Sequence, residues 1–188
     1  MTTYDIHARQ GLPQEMQLLL RDYPREDWPG HPNFATATQN WMRAHQMFRQ
    51  LGDIIVKDTE KLLEKEMETE RYASRLSHYG NQLVNNLHGH HHWEDHSFFP
   101  ELEAADPRFL RGLEMLETDH TEMDALLDTF TDAANRYLQL ERLSPKDTRE
   151  ELPAMLKAGE SIKRFLDRHL ADEEDLVVPI ILHHKLRG

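Results

Sequence analysis

Two segments of the chain carry a histidine and a glutamate one helical turn apart, His90-x-x-x-Glu94 and His169-x-x-x-Glu173. A proline follows each at the same interval, Pro100 and Pro179, and a lone histidine on a helical pattern precedes each, His45 and His120. Imidazole nitrogens and carboxylate oxygens without sulfur suit iron, manganese or zinc, and two carboxylates can bridge two metal ions. Four histidines and two glutamates at matched places are what a two-metal site inside a helical bundle needs. In a chain with 13 histidines one such pair would mean little. The repeat carries the information.

Residues four apart on a helix project toward the same side. His90 and Glu94 therefore share a stripe with Leu83, Leu87 and Phe98, and His169 and Glu173 share theirs with Ile162, Leu166, Leu176 and Ile180. His45 falls among Trp41, Met42 and Phe48, and His120 among Leu113, Leu116, Met123 and Leu127. All six polar side chains point at the core. A buried carboxylate without compensation is strongly destabilising or becomes neutral, and cations held among the imidazoles remove that penalty. The run from His88 to His96 also offers the pairs His91/Asp95 and His92/His96. The position matching His91 in the repeat is Leu170, so the repeat selects His90 and Glu94. His91 is then a possible partner outside the ligand sphere, and His92 and His96 are surface residues able to hold an adventitious ion. Asp172 and Glu174 compete with Glu173, which regular helical geometry favours.

These residues need long helices to position them. Residues 1–32 read as an N-terminal arm, with a short helix from Pro13 to Asp22 and an irregular stretch from Tyr23 to Pro32 rich in proline. Asn33 caps a first long helix to about Met67, with Phe34, Trp41, Phe48, Ile55 and Leu62 recurring every seven residues. A second runs from about Arg71 to Ala105. Asp106-Pro107 stops it and starts a third, to about Arg142, and Ser144-Pro145 opens a fourth that ends near Leu186, with Pro153 as a kink or its true start. Each helix would be about 50 Å long. Short connections make neighbours antiparallel, so residues 33–188 read as an all-α, up-down-up-down four-helix bundle.

A length of 188 residues suits one such domain. The formal net charge of −12 argues against nucleic acid and against anionic membrane surfaces as partners. The absence of cysteine excludes disulfides, iron–sulfur clusters, thiolate zinc sites and cysteine nucleophiles. The N-terminal residues lack a signal-peptide pattern and no apolar run is long enough to span a bilayer, which points to the cytoplasm. Only Glu117-x-x-His120 fits the Glu-x-x-His element of ferritin-like dimetal proteins, which need two, and neither His-Glu-x-x-His nor a nucleotide-binding loop is present.

In order, His45, the block His90-His91-His92-Trp93-Glu94-Asp95 leading to Phe98-Phe99-Pro100, His120, and His169-Leu170-Ala171-Asp172-Glu173-Glu174 leading to Pro179 resemble the hemerythrin-like family, also called the HHE cation-binding domain. The resemblance spans about residues 33–186. It implies two iron ions in an antiparallel four-helix bundle, bridged by an oxo, hydroxo or water oxygen. His45 and His90 would bind one iron, His120 and His169 the other, and Glu94 and Glu173 would bridge. Manganese or zinc are the alternative metals. Oxygen-carrying members have a further histidine four residues after the His120 equivalent, where this chain has Asp124. They also place the last carboxylate five residues after the final histidine, which would select Glu174. The pattern is more similar to the six-ligand branch, whose members sense iron or oxygen or handle nitric oxide and peroxide. Asp124 is expected to bind metal weakly, to hydrogen-bond a bound water, or to stand behind the ligands as a hydrogen-bond partner. The expected ligand is O2, NO or peroxide, with Trp41, Phe48, Leu87, Met123 and Phe165 as an apolar wall. The arm is expected to be disordered or to cover one end, with Tyr4 or His7 within reach of the site. An iron- or redox-responsive interaction module and a metal-free structural bundle are the rival readings.

Overall fold

The computed structural model describes residues 4–186, and every regular element among them is helical. Turns of 3₁₀ helix at Gln14–Met16 and Arg25–Gly30 precede α1 (Thr36–Leu63) and α2 (Thr69–Trp93). A π turn (Glu94–Phe98) joins α2 to the short α3 (Phe99–Ala105), and single 3₁₀ turns lead into α4 (Leu110–Leu143) and α5 (Thr148–His184). None of these helices is long and apolar enough to cross a membrane.

Most of the sequence-predicted helices are present, with informative departures. The helix expected at Pro13–Asp22 is a single 3₁₀ turn, although its apolar residues Met16 and Leu19 are buried as a helix would bury them. Asn33 does not cap α1, which begins at Thr36; its side-chain amide donates to the Leu182 carbonyl at 2.9 Å and so satisfies the end of α5. α1 ends earlier than expected because Lys65 takes a left-handed conformation (φ 62°), and Glu66 N–H returns to the Lys61 carbonyl at 2.7 Å. The second helix is not continuous to Ala105. Pro100 has no N–H to donate and its ring crowds the carbonyl one turn earlier, so the chain opens into a π turn. The His96 ring N–H donates to the His92 carbonyl at 2.9 Å within that irregularity. α5 carries Pro153 and Pro179 without such a turn. Asp106 behaves as read: its side chain accepts from Arg108 N–H and restarts the chain.

The chain divides into two compact units. One comprises Met1–Met47, His91–Thr121 and Phe165–Gly188. Its core joins Trp41, Phe98, Phe99, Leu116, Val177 and Ile181 to arm residues Leu12, Met16, Leu19 and Trp28. The arm thus supplies core. Gly112 brings α4 close to α5 here, since a Cβ at this position would lie 2.8 Å from Leu176 Cδ2. The other unit comprises Phe48–His90 and Glu122–Arg164, around buried Phe48, Ile55, Leu76, Leu83, Phe130 and Ile162. In it the Tyr72 and Tyr137 rings meet edge to face at 5.0 Å, and the Tyr72 and Thr59 hydroxyls are hydrogen-bonded at 2.9 Å.

Two helical glycines give opposite expectations. Gly112→Ala should destabilise by about 1–3 kcal/mol because buried Leu176 must move. Gly89→Ala, with nothing within 4 Å of the added methyl, should stabilise by about 0.5–1 kcal/mol through helix propensity alone. Urea unfolding midpoints of the two variants read both; equal shifts would show that α4 and α5 are not in close contact at Gly112.

Candidate metal centre

α1, the start of the π turn, α4 and α5 each present ligand-type side chains to the interior of the first unit. His45, Glu94, His169 and Glu173 are fully buried, and His120 is nearly so. The Nε2 atoms of the histidines face the two glutamates. His45 Nε2 lies 3.4 Å and His169 Nε2 3.8 Å from Glu173 Oε2, and His120 Nε2 lies 3.7 Å from Glu94 Oε2. The single oxygen Glu173 Oε2 therefore lies between a histidine of α1 and one of α5. Trp41 Nε1–H holds the other oxygen of Glu94, Oε1, at 2.6 Å.

Each of these histidines turns its Nδ1 to a carboxylate on another segment. His45 meets Glu174 at 3.1 Å, His120 meets Asp95 at 2.7 Å, and His169 meets Asp119 at 3.2 Å. A carboxylate accepts from Nδ1–H, which leaves the Nε2 lone pair directed inward and raises its basicity, as metal ligation requires. These acids are sequence neighbours of the inward residues: Asp95 follows Glu94, Asp119 precedes His120, and Glu174 follows Glu173. On a helix adjacent residues point about 100° apart, so each acid reaches the neighbouring element.

Two groups could hold metal ions. His91, His120 and His169 have ligand atoms within 4.8 Å of one another. His45, Glu94 and Glu173 of this unit belong to the other group, while His90 is the last α2 residue of the second unit. His91 is buried and its ring stacks on His120 at 3.9 Å, with planes 9° apart. The sequence repeat assigns His91 a place outside the ligand sphere; the structure brings it into the histidine group. His90 is only half-buried, against the expectation for all six, and its ring lies 5.1 Å from Phe48.

The remaining candidates stand apart from both groups. Asp124 is exposed and pairs with His88 at 3.3 Å. Glu174 accepts from His45 and from Arg25, and Asp172 from Arg9 and Arg168. The His92 and His96 rings are exposed and 4.1 Å apart. Tyr4 bonds to Glu15, and the His7 ring lies 6.1 Å from Phe165. The expected wall residues Trp41, Phe48, Leu87, Met123 and Phe165 are all buried. Arg9 went unread in the sequence: it is buried and bonds to Asp119 and Asp172. An isolated arginine in a proline-rich arm has no periodicity to mark it, whereas the acids beside His120, Glu94 and Glu173 could have been singled out by adjacency.

The donor set fits a metal. His120 Nε2, His169 Nε2 and both carboxylate oxygens of Glu173 are buried and make no hydrogen bond. Bound cations would use all four atoms. Burial, against the pull of Asp119, pushes the His169 imidazole down to about 4. Burial, and then Glu94, push the Glu173 carboxyl well above the usual carboxylate range. For Asp119, burial acts upward but the bonds from His169 and Arg9 outweigh it and hold this carboxyl low.

In the metal-free protein His169 and Glu173 oppose each other as pH falls. The unfolded chain protonates His169 near 6.5 while the fold resists until about 4, so stability is lost across that window. The fold protonates Glu173 before the unfolded chain does, so its burden is relieved as pH falls. Metal-free Glu173→Gln should therefore lose stability more steeply than wild type between pH 6.5 and 4.5, by up to about 1.4 kcal/mol per pH unit. Urea midpoints across that range check this, and parallel profiles would contradict it.

A family model described as the hemerythrin HHE cation-binding domain matches residues 36–181. Comparison with curated proteins and with solved structures gave no match. The matched span contains every candidate ligand and most of the chain, and the chain belongs to the hemerythrin HHE cation-binding domain family.

Proposed function

We propose that the protein holds two iron ions in the first unit and uses them to bind or react with O2, NO or peroxide. The observation that supports this most strongly is the convergence of three Nε2 atoms, each oriented by a carboxylate behind it, on two buried glutamates. In this reading the helices form an up-down-up-down four-helix bundle. His45 and His90 would serve one iron, His120 and His169 the other, with Glu94 and Glu173 shared between them. His91 supplies a third imidazole on the side of His120 and His169. Asp124 takes no part, which distinguishes this chain from members with a histidine at that position.

Bound iron would supply a redox-active Lewis acid with an exchangeable position for a small ligand. The chain's residues set the conditions around it. Trp41 fixes Glu94 through its indole N–H and packs against the His45 ring at 4.1 Å. Phe99 stacks on His120 at 5.6 Å and Phe165 lies 6.1 Å from His169, so the imidazoles turn apolar surroundings rather than water toward a ligand. The imidazole-and-carboxylate donor set would also accept manganese or zinc, so metal identity is settled by analysis of the purified protein.

Protein loaded anaerobically with Fe(II) should bind two iron ions per chain, and its optical spectrum should change on adding air, NO or peroxide. Glu173→Ala and Glu94→Ala should each lower the stoichiometry to about one or less and weaken that spectral response, because the bridging oxygens are gone. Elemental analysis and absorption spectra check this. Two irons retained in both variants would show that the glutamates are not ligands, and under half an equivalent of any transition metal in wild type would overturn the metal reading.

A further inference from the structure

Two arginines of the N-terminal arm end on the carboxylates that orient the candidate ligands. Arg9 gives Nη1 to Asp119 Oδ1 at 2.9 Å, Nη2 to Asp119 Oδ2, and Nε to Asp172 Oδ2 at 2.7 Å. Asp119 is the acceptor for His169 Nδ1. Arg25 gives Nη1 to Glu174 Oε2 at 2.8 Å, Nε to Asp175 at 2.6 Å and Nη2 to the Ala171 carbonyl at 2.8 Å. Glu174 is the acceptor for His45 Nδ1. The arm therefore reaches one histidine of each metal group through the same sequence of contacts, arginine to carboxylate to imidazole. Arg168 of α5 closes on the arm from the other side, donating to the Gln10 carbonyl at 2.8 Å and to Asp172.

We propose that this arm, residues 4–31, is a latch whose docking is linked to metal occupancy. Arg9 and Arg25 are positioning residues. Each fixes a largely buried carboxylate in place, so that the carboxylate holds Nδ1–H and Nε2 is directed inward, toward the metal position. A docked arm favours metal binding. By reciprocity, bound metal, which demands imidazoles held with Nε2 inward, favours the docked arm to the same degree. Metal loss weakens the hold on residues 4–31, whose other attachments include the buried side chains Leu12, Met16, Leu19 and Trp28 and the Arg168 bond to the Gln10 carbonyl. The family's metal site thus becomes readable at the protein surface, as a segment that is either docked or released. This inference rests on the metal reading above.

The test uses the full chain, with Fe(II) and Zn(II) as probes. In Arg9→Gln and Arg25→Gln a chelator should strip the metal at least about tenfold faster than from wild type, in the range typical of groups that orient ligands. Arg9→Lys should recover part of the loss, and Arg21→Gln, an exposed arm arginine, should behave as wild type. Amide exchange over residues 4–31 should be slower in metal-loaded than in metal-free wild type, a difference that Arg9→Gln shrinks. Should Arg9→Gln fail to fold, Arg25→Gln carries the same expectation, because its side chain is 41% exposed and its loss leaves the core intact. Two bound metals in wild type, combined with unchanged stripping rates and identical arm exchange in the two states, would overturn the latch and leave the metal reading standing. A wild-type chain that takes up neither metal would overturn both.

Discussion

Two glutamates with no exposure to solvent, Glu94 and Glu173, set the electrostatic problem around which the first unit is built. A pair of buried carboxylates facing each other cannot both be ionised without cations. The surroundings answer in layers of alternating sign. Around the glutamates stand imidazoles with inward Nε2 atoms, and behind these stand Asp95, Asp119 and Glu174. Behind two of those acids stand Arg9 and Arg25. Without a positive charge at the centre, the innermost layer is a liability and the outer layers only partly relieve it. With that charge, each layer supports the next.

The same layers fix helix register. Each outer acid sits next in sequence to an inward residue of its own helix but bonds to a histidine of a different one. Asp95 links the π turn to α4, Asp119 links α4 to α5, and Glu174 links α5 to α1. Sliding any of these elements by one residue would break an inward ligand and an outward hydrogen bond together. Apolar stripes alone tolerate such shifts better, because one aliphatic side chain replaces another at small penalty. The close approach at Gly112 adds a steric stop between α4 and α5.

Much of this was legible in the sequence, and the reasons differ for what was and was not. The heptad spacing of Trp41, Phe48, Ile55 and Leu62 marks a buried helical stripe, and all four are buried. The His-x-x-x-Glu repeat located Glu94, His169 and Glu173 in the core. It placed His91 outside the ligand sphere by treating both halves as regular helix, and the structure sets His91 beside His120 and His169. Pro100 opens a π turn beginning at Glu94, whereas the chain around Pro179 stays α-helical, so the halves are not superposable at the residues being compared. Asp124 looked chemically relevant from its distance to His120, yet it pairs with His88 at an exposed position. The arm was the least legible part. Its contacts join residues far apart in sequence, and its local pattern of proline and glycine predicts irregularity without saying what irregular backbone can hold.

The two ligand groups differ in chemistry, and that difference bears on what a bound metal pair could do. Within the first unit one group offers three imidazoles, of His91, His120 and His169, and the other the imidazole of His45 with two carboxylates. Carboxylate oxygen is the harder donor and brings negative charge, while imidazole is neutral and equally at home with iron, zinc or copper. A metal on the carboxylate-rich side would be held with more charge compensation, and one on the imidazole side would retain more of its Lewis acidity. The latter side is also where Asp119 and Arg9 act, through His169. Arg25 reaches His45 on the carboxylate-rich side in the same way, through Glu174, whereas Glu94 is held from within the core by Trp41.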